Sequence, residues 1–163
     1  MIKPIPYGRQ NITEEDIKTV IETLQSDYLT QGPKIQEFEK KFSEYVNAKY
    51  AIAVTNATAA LHLSVMALGL QKGDRIITTP ITFAASANAI CYENAIPVFL
   101  DVDPQTWTVD IRCIEKAIIK YKPKAIITVD LYGQPCDYDE IKLLCKKYGV
   151  FIIQDSAEAL GSE

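Results

Sequence analysis

The sequence predicts an α/β protein in which helices cover both faces of a mostly parallel sheet. Short apolar segments alternate with helical patterns from about residue 51 to the end of the sequence, and this alternation is typical of parallel sheets with crossover helices. The segments are apolar throughout, as strands covered on both faces are. An acidic residue, Asp155, follows the last of them, at the edge where open parallel sheets bind ligands.

Residues 1–50 are predicted to form a helical segment ahead of the sheet, which then occupies residues 51–163. Thr13 has the position of a helix cap, since acids fill the turn that follows it. Gly32-Pro33 separates this helix from a second one. Four apolar residues should form the buried face of the second helix: Ile35, Phe38, Phe42 and Tyr45.

Strands and helices alternate along the sheet segment. Strands are predicted at residues 51–54, 75–78, 97–100, 125–129 and 150–153. Helices are predicted at residues 59–70, 83–92, 111–120 and 138–148. Together they give a three-layer α/β/α domain. No later segment completes its layers, so the sequence predicts a truncated domain.

The composition fits a soluble globular protein and argues against several classes of function. The 163 residues are 48% hydrophobic and 23% charged, with a net charge of -4. Lys and Arg are spread along the chain, which argues against a nucleic-acid surface. No apolar run is long enough to span a membrane, and the first residues lack a secretion signal. The cysteines have no CxxC spacing, so we expect no zinc site and a reducing, cytoplasmic location.

The turn after the first predicted strand has the composition of a phosphate site. The residues of Thr55-Asn56-Ala57-Thr58-Ala59 are mostly small, and a helix amino terminus offers N–H groups and a favourable dipole to an anion. Thr58 can add a hydroxyl donor. Asn56 and Thr58 are also ordinary cap residues, so a plain helix cap remains the alternative.

Two further residues suit a planar cofactor. Phe83 follows the second predicted strand and could stack on a ring, although a core aromatic is the alternative. Asp155 suits a protonated ring nitrogen, such as the pyridinium of pyridoxal phosphate (PLP), although strand-end aspartates also serve as caps or metal ligands. One bound PLP would use the phosphate site, the stacking residue and the carboxylate together.

Several motifs occur in one order around these residues. They include Gly32-Pro33, Thr55 to Leu63, Gly73-Asp74, Thr79 to Asn88, Pro97 to Asp103, Leu131 to Pro135 and Gln154 to Gly161. From Ile5 to the last residue the chain resembles the DegT/DnrJ/EryC1/StrS family of sugar aminotransferases. The resemblance implies the large domain of a fold-type I PLP-dependent transferase, with the rest of that domain and the small domain absent.

The resemblance also assigns site residues. Thr58 and Ala59 would hold the cofactor phosphate, Phe83 would stack on the ring, and Asp155 would pair with its nitrogen. Glu158 stands where relatives often carry His or Gln near the phenolic oxygen, a departure because two anions repel each other. Three residues lie in segments that relatives bring towards the sugar nucleotide: Tyr7, Leu29 and Thr30.

The implied reaction transfers an amino group, from glutamate, to a nucleotide-linked keto-deoxysugar in amino-sugar and polysaccharide biosynthesis. Relatives carry the aldimine-forming lysine beyond the Asp155 motif, and a second subunit of a homodimer completes their site. The lysine is therefore expected beyond Glu163, which leaves no catalytic residue in this chain. Lys147 precedes Asp155 and is predicted to lie on a helix surface. The isolated 163 residues are expected to be inactive.

Other interpretations stay open at this point. Some relatives replace the lysine with histidine and dehydrate deoxysugars with the same cofactor. A truncated module that binds a phosphate ligand or a protein, and a flavodoxin-like nucleotide binder, are further alternatives. His62 is predicted to be a packed residue. Asp101 and Asp103 are predicted to form a turn and not a metal pair, and no metal site is expected.

Overall fold

The computed structural model describes residues 9–162. Tyr7, assigned above to the sugar nucleotide, lies outside the described residues. The backbone divides into two compact units, with the division between Ala53 and Val54.

The amino-terminal unit contains two helices, α1 (Glu14–Leu24) and α2 (Pro33–Tyr45). α1 begins as predicted: the Asp16 backbone N–H donates to Thr13 Oγ1 at 3.3 Å, and the Thr13 N–H donates to Asp16 Oδ2 at 2.7 Å. This reciprocal pair is a capping box. α2 begins directly at Pro33 after Gly32, because proline needs no N–H partner at the first helical position.

The prediction that α2 has a buried face is wrong. Neither helix of this unit contains a buried residue, and Ile35, Phe38 and Tyr45 are all exposed. The helical spacing is right, and the Phe38 and Phe42 rings lie 5.6 Å apart on one side of the helix. Spacing identifies an apolar face but does not say what covers it, and the described residues of this unit supply no core.

The second unit is built on a four-stranded sheet. Its strands are β1 (Arg75–Thr78), β2 (Ile96–Phe99), β3 (Ala125–Val129) and β4 (Phe151–Asp155). They lie in the order β2-β1-β3-β4, and all neighbours are parallel. Its helices are α3 (Ala57–Ala67), α4 (Ala85–Tyr92), α5 (Ile111–Tyr121) and α6 (Tyr138–Tyr148). Leu131–Gly133 adds one short 3-10 turn.

Helices cover both faces of this sheet, as the sequence predicts. On one face, Ile76 and Ile127 pack in a buried cluster with residues of α3 and α4 such as Leu61 and Ala89. On the other face, Ile77 packs in a second cluster with residues of α5 and α6. Neighbouring strand residues point to opposite faces, so a strand apolar at every position supplies both cores.

The predicted strand at residues 51–54 is wrong. These residues form no strand, and Ile52 is 81% exposed. A strand is held by a ladder of hydrogen bonds to a neighbouring strand, and the described residues contain no such neighbour here. The Ala53 N–H instead donates to the Glu39 carboxylate at 2.8 Å.

The parallel arrangement brings the carboxyl ends of the strands to one edge, called the carboxyl edge below. β3 lies between β1 and β4, so Thr78, Val129 and Asp155 end three adjacent strands. Helices α3 and α4 each lead into a strand of this sheet, so their amino termini lie towards the same edge. Within residues 9–162, every helix is too short or too polar to cross a membrane.

Candidate cofactor site

Asp155 is a buried carboxylate at the carboxyl edge, and a serine from a neighbouring helix holds one of its oxygens. The side chain is 9% exposed, and Ser86 Oγ donates to Asp155 Oδ2 at 2.7 Å. Ser86 lies in the first turn of α4 and is fully buried. The other oxygen, Oδ1, has one long contact among the described residues, from the Ala157 N–H at 3.5 Å.

Phe83 lies next to this pair. Its ring is 77% exposed, so the core-aromatic alternative is wrong. The Ser86 N–H donates to the Phe83 carbonyl at 3.2 Å, and the same serine contacts Asp155. Ser86 therefore bonds both to the backbone of Phe83 and to the buried carboxylate. An exposed ring can stack on a planar ligand.

Thr58 and Ala59 lie in the first turn of α3, on the sheet face that α4 also covers. The cap alternative is confirmed in part, because Asn56 Oδ1 accepts from the Ala59 N–H at 2.9 Å. The Ala57 and Thr58 N–H groups belong to the donors that an α-helix leaves without intrahelical partners. An anion here would be held by those groups and the Thr58 hydroxyl, with Ala59 already capped.

Glu158 has a partner of its own. Its Oε2 accepts from the Tyr132 N–H at 2.9 Å, which ties the turn after β4 to the turn after β3. Tyr132 has a left-handed backbone with φ of 54°, and such a conformation needs local support in a residue other than glycine. The Glu158 carboxylate therefore has a structural use in this chain.

Asp130 is the residue that the sequence analysis missed. It follows β3 directly and is 4% exposed. Asp130 Oδ1 accepts from the Tyr138 hydroxyl at 2.7 Å and the Cys136 N–H at 2.9 Å, and Oδ2 accepts from Ser156 Oγ at 2.6 Å. Its own N–H donates to the Asp155 carbonyl at 3.0 Å. The available signal was an acid just past an apolar run, the same signal that pointed to Asp155.

The groups around Asp130 stay neutral at ordinary pH. Burial raises the pKa of Tyr138 far above its usual range. Burial, followed by the charge of nearby Asp130, raises the pKa of the Cys136 thiol to about 11. The phenol therefore stays protonated and donates a hydrogen bond to the Asp130 carboxylate.

The sequence also singles out Leu29, Thr30, Asp103, Lys147 and His62. Leu29 and Thr30 are exposed residues of the amino-terminal unit. Asp103 Oδ1 accepts from the Gln105 N–H at 2.8 Å, which confirms the turn interpretation. Lys147 lies near the end of α6 and pairs with Glu115 at 2.9 Å. His62 Nε2 lies 2.9 Å from Glu93 Oε1.

A three-layer domain with a buried carboxylate at the carboxyl edge has the architecture of a fold-type I PLP-dependent transferase, and solved sugar aminotransferases share that fold with this chain. The match to the family model covers residues 10–163. The chain belongs to the DegT/DnrJ/EryC1/StrS aminotransferase family.

Three relatives are informative. GDP-perosamine synthase from Escherichia coli O157:H7 is 43% identical, over 99% of this chain and 44% of its own length. PseC from Helicobacter pylori, an aminotransferase of pseudoaminic acid biosynthesis, superposes with a TM-score of 0.92 at 35% identity, over 99% of this chain and 43% of its own. A GDP-4-keto-6-deoxymannose-3-dehydratase with a trapped PLP-glutamate geminal diamine superposes with a TM-score of 0.91 at 26% identity, over 97% and 42%.

The chain spans less than half the length of the curated relatives it matches, from 40% to 44%.

Proposed function

We propose that the whole protein is a PLP-dependent aminotransferase that moves an amino group from glutamate to a nucleotide-linked keto-deoxysugar. The observation that carries this proposal is the buried Asp155 carboxylate, with Oδ2 held by Ser86 at 2.7 Å and Phe83 exposed beside it. Family membership supports the reaction class. A phosphate site alone would not need an anion and an aromatic ring together.

The residues present fit PLP on their own chemistry. Asp155 supplies an anion for a protonated ring nitrogen, Phe83 supplies a surface for the ring, and Thr58 supplies a hydroxyl for the phosphate, with Ala59 in the same turn. Bound PLP would supply an electron sink for the substrate. Glu158 is proposed to lie near the phenolic oxygen while it keeps its bond to the Tyr132 N–H.

The sugar nucleotide is proposed to contact Tyr7, Leu29 and Thr30. Glutamate as donor is supported by the PLP-glutamate adduct named for the related dehydratase. The lysine that binds PLP covalently is proposed to lie beyond Glu163, and a homodimer is proposed to complete the site. Residues 1–163 alone are then expected to be inactive. A cytoplasmic location suits the four cysteines, all of which are free thiols.

A dehydratase is the second candidate, supported by the TM-score of 0.91 to the related dehydratase. Both candidates use the same cofactor, so Asp155 and Phe83 do not distinguish them. In the aminotransferase the nitrogen of glutamate ends on the sugar. In the dehydratase the sugar loses a hydroxyl group and gains no nitrogen.

The experiment uses the full-length protein, ¹⁵N-glutamate, and UDP- and GDP-linked 4-keto-6-deoxysugars, with products read by mass spectrometry. A ¹⁵N-labelled amino sugar is expected. A deoxygenated sugar without nitrogen would establish the dehydratase instead.

PLP binding is measured in parallel by absorbance titration. Asp155→Asn should weaken binding at least tenfold, because it removes the charge that pairs with the ring nitrogen. Asp101→Asn is the matched control, since Asp101 is an exposed turn residue whose carboxylate accepts from the Val102 N–H at 2.9 Å. Equal PLP affinity in the two variants would contradict the proposed site.

A further inference from the structure

We propose that Ser86 is a positioning residue that orients the Asp155 carboxylate towards the cofactor ring. The inference rests on the proposed function, because it assigns a task to Ser86 at the proposed PLP site. Ser86 and Asp155 are 69 residues apart in the chain, and their side chains meet at 2.7 Å. Neither local pattern nor composition singles out this serine.

Three side chains form a row at this point. Thr82 Oγ1 lies 2.9 Å from Ser86 Oγ, and Ser86 Oγ lies 2.7 Å from Asp155 Oδ2. A serine hydroxyl has one proton to give and two lone pairs to accept with. The carboxylate can only accept, so the Ser86 hydroxyl donates its hydrogen bond to Asp155. The Thr82 hydroxyl in turn donates to Ser86 Oγ. The Ser86 contact with the Phe83 carbonyl is longer, at 3.3 Å.

This row fixes the carboxylate before a ligand arrives. A hydroxyl bond to a carboxylate is charge-assisted and strong among hydrogen bonds. Ser86 lies in the first turn of α4, which is anchored by the buried residues Ala85, Ala89 and Ile90. Holding Oδ2 sets the plane of the Asp155 carboxylate and leaves Oδ1, with its single 3.5 Å contact from Ala157, to meet a protonated ring nitrogen.

A purely structural role makes a different prediction. The Ser86 hydroxyl also contacts the Phe83 carbonyl, at 3.3 Å, so the serine side chain could simply stabilise the start of α4. In that case its removal would matter equally whether residue 155 is charged or neutral. A positioning residue acts through the Asp155 charge, and its effect should disappear with that charge.

The test is a double-mutant cycle on PLP affinity in the full-length protein. Ser86→Ala should weaken PLP binding about tenfold, the effect expected for one hydrogen bond to a charged group. In an Asp155→Asn background the same change should matter less than about twofold. Ser64→Ala is the matched control and should leave affinity unchanged, because Ser64 Oγ donates to the Ala60 carbonyl on the exposed side of α3.

The ring nitrogen provides a second readout that is independent of activity. With ¹⁵N-labelled PLP, the NMR shift of the ring nitrogen reports its protonation. A carboxylate held in line with the ring favours the protonated form. Ser86→Ala should therefore move the protonation midpoint to lower pH, while Ser64→Ala should not.

Thr82→Val keeps the test decisive should Ser86→Ala fail to fold. It removes the donor behind Ser86 and should weaken PLP binding about two- to threefold, as a neutral hydrogen bond does. Wild-type affinity in Ser86→Ala, or in Thr82→Val where Ser86→Ala does not fold, would overturn the positioning role, and so would an undiminished Ser86→Ala effect in the Asp155→Asn background. Wild-type affinity in Asp155→Asn alone would instead overturn the proposed PLP site.

Discussion

Asp130 and Asp155 end neighbouring strands of one sheet, and they have different environments. Both are nearly fully buried, at 4% and 9% exposure. Asp130 accepts hydrogen bonds from three donors, so both of its oxygens have strong protein partners. Within residues 9–162, Asp155 has one strong side-chain bond, from Ser86, and a second oxygen with one contact at 3.5 Å.

This difference separates a framework carboxylate from the carboxylate that is proposed to bind the cofactor. A buried charge needs compensation, and a saturated one such as Asp130 has it within the chain. In Asp155 only one of the two carboxylate oxygens has a strong hydrogen-bond donor among the described residues, so a cation could compensate the other oxygen. The two aspartates also cooperate, since Asp130 holds Ser156, the residue after Asp155, at 2.6 Å.

The largest expected effect is on folding, at Asp130. Asp130→Ala leaves the Tyr138 hydroxyl, the Cys136 N–H and the Ser156 hydroxyl without their acceptor. We expect a loss of about 3 kcal/mol in the free energy of unfolding. Asp155→Ala should lose about 1 kcal/mol, because it removes one strong bond. Denaturant unfolding of the full-length apo protein, followed by circular dichroism, measures both losses.

The exposed Asp101 provides the control, since Asp101→Ala should cost well under 1 kcal/mol. Equal losses of unfolding free energy in Asp130→Ala and Asp155→Ala would contradict the proposed difference between the two carboxylates.

Sequence reasoning succeeded where the pattern is local. Strand β3 and helix α6 have the predicted bounds, because an unbroken apolar run and a helical pattern can be recognised from neighbouring residues alone. The segment 51–54 is equally apolar but forms no strand. Pairing depends on a neighbour that lies elsewhere in the chain.

The candidate site shows the same limit. Asp155 and Phe83 can be proposed from positions after apolar runs, while the exposure of Phe83 requires the fold. Asp130 gives the same sequence signal as Asp155, and only their hydrogen-bond partners distinguish them. Ser86 gives no signal, because its partner lies 69 residues away.

The second prediction concerns pH and the surroundings of Asp130. Burial raises the pKa of Cys136 from 9.0 to about 11, so the folded state keeps a proton that the unfolded state has lost. The associated stability is present below pH 9 and is lost as pH rises to 11. We expect a loss of about 1–2 kcal/mol over that window, since solvent screens part of the effect. Thermal unfolding at pH 8 to 11 measures it.

Cys136→Ala should flatten this alkaline loss, with the remainder from Tyr138, whose pKa burial also raises. Cys91→Ala is the control, because Cys91 is exposed and should leave the profile unchanged. An identical profile in Cys136→Ala would mean that the thiol is not buried against Asp130.

The exposed ring of Phe83 should contribute to PLP binding and not to stability. Phe83→Ala should weaken PLP binding about fivefold, the effect of one stacked ring, and should change stability by less than about 0.5 kcal/mol because the ring is 77% exposed. Fluorescence titration with PLP measures the affinity. Phe151→Ala is the matched control, since Phe151 is 61% exposed at the amino end of β4. Equal PLP affinities in the two variants would mean that the cofactor ring does not stack on Phe83.

The smallest expected effect is at Glu158. Glu158→Gln keeps an oxygen to accept from the Tyr132 N–H, a bond of 2.9 Å, and removes the negative charge. If the carboxylate lies near the phenolic oxygen of PLP, the loss of repulsion should tighten binding about two- to threefold. Glu140→Gln, on the exposed start of α6, should have no effect on the same titration.

Glu158→Ala distinguishes the two roles of this residue, a charge near the cofactor and a hydrogen bond to the Tyr132 N–H. It removes both the charge and the tie to Tyr132, whose left-handed φ of 54° depends on local support. Weaker PLP binding in Glu158→Ala with unchanged binding in Glu158→Gln would make Glu158 a brace between the turns after β3 and β4. Its carboxylate would then belong with Asp130 in the framework, and Asp155 would be the one anion of this edge that faces the cofactor.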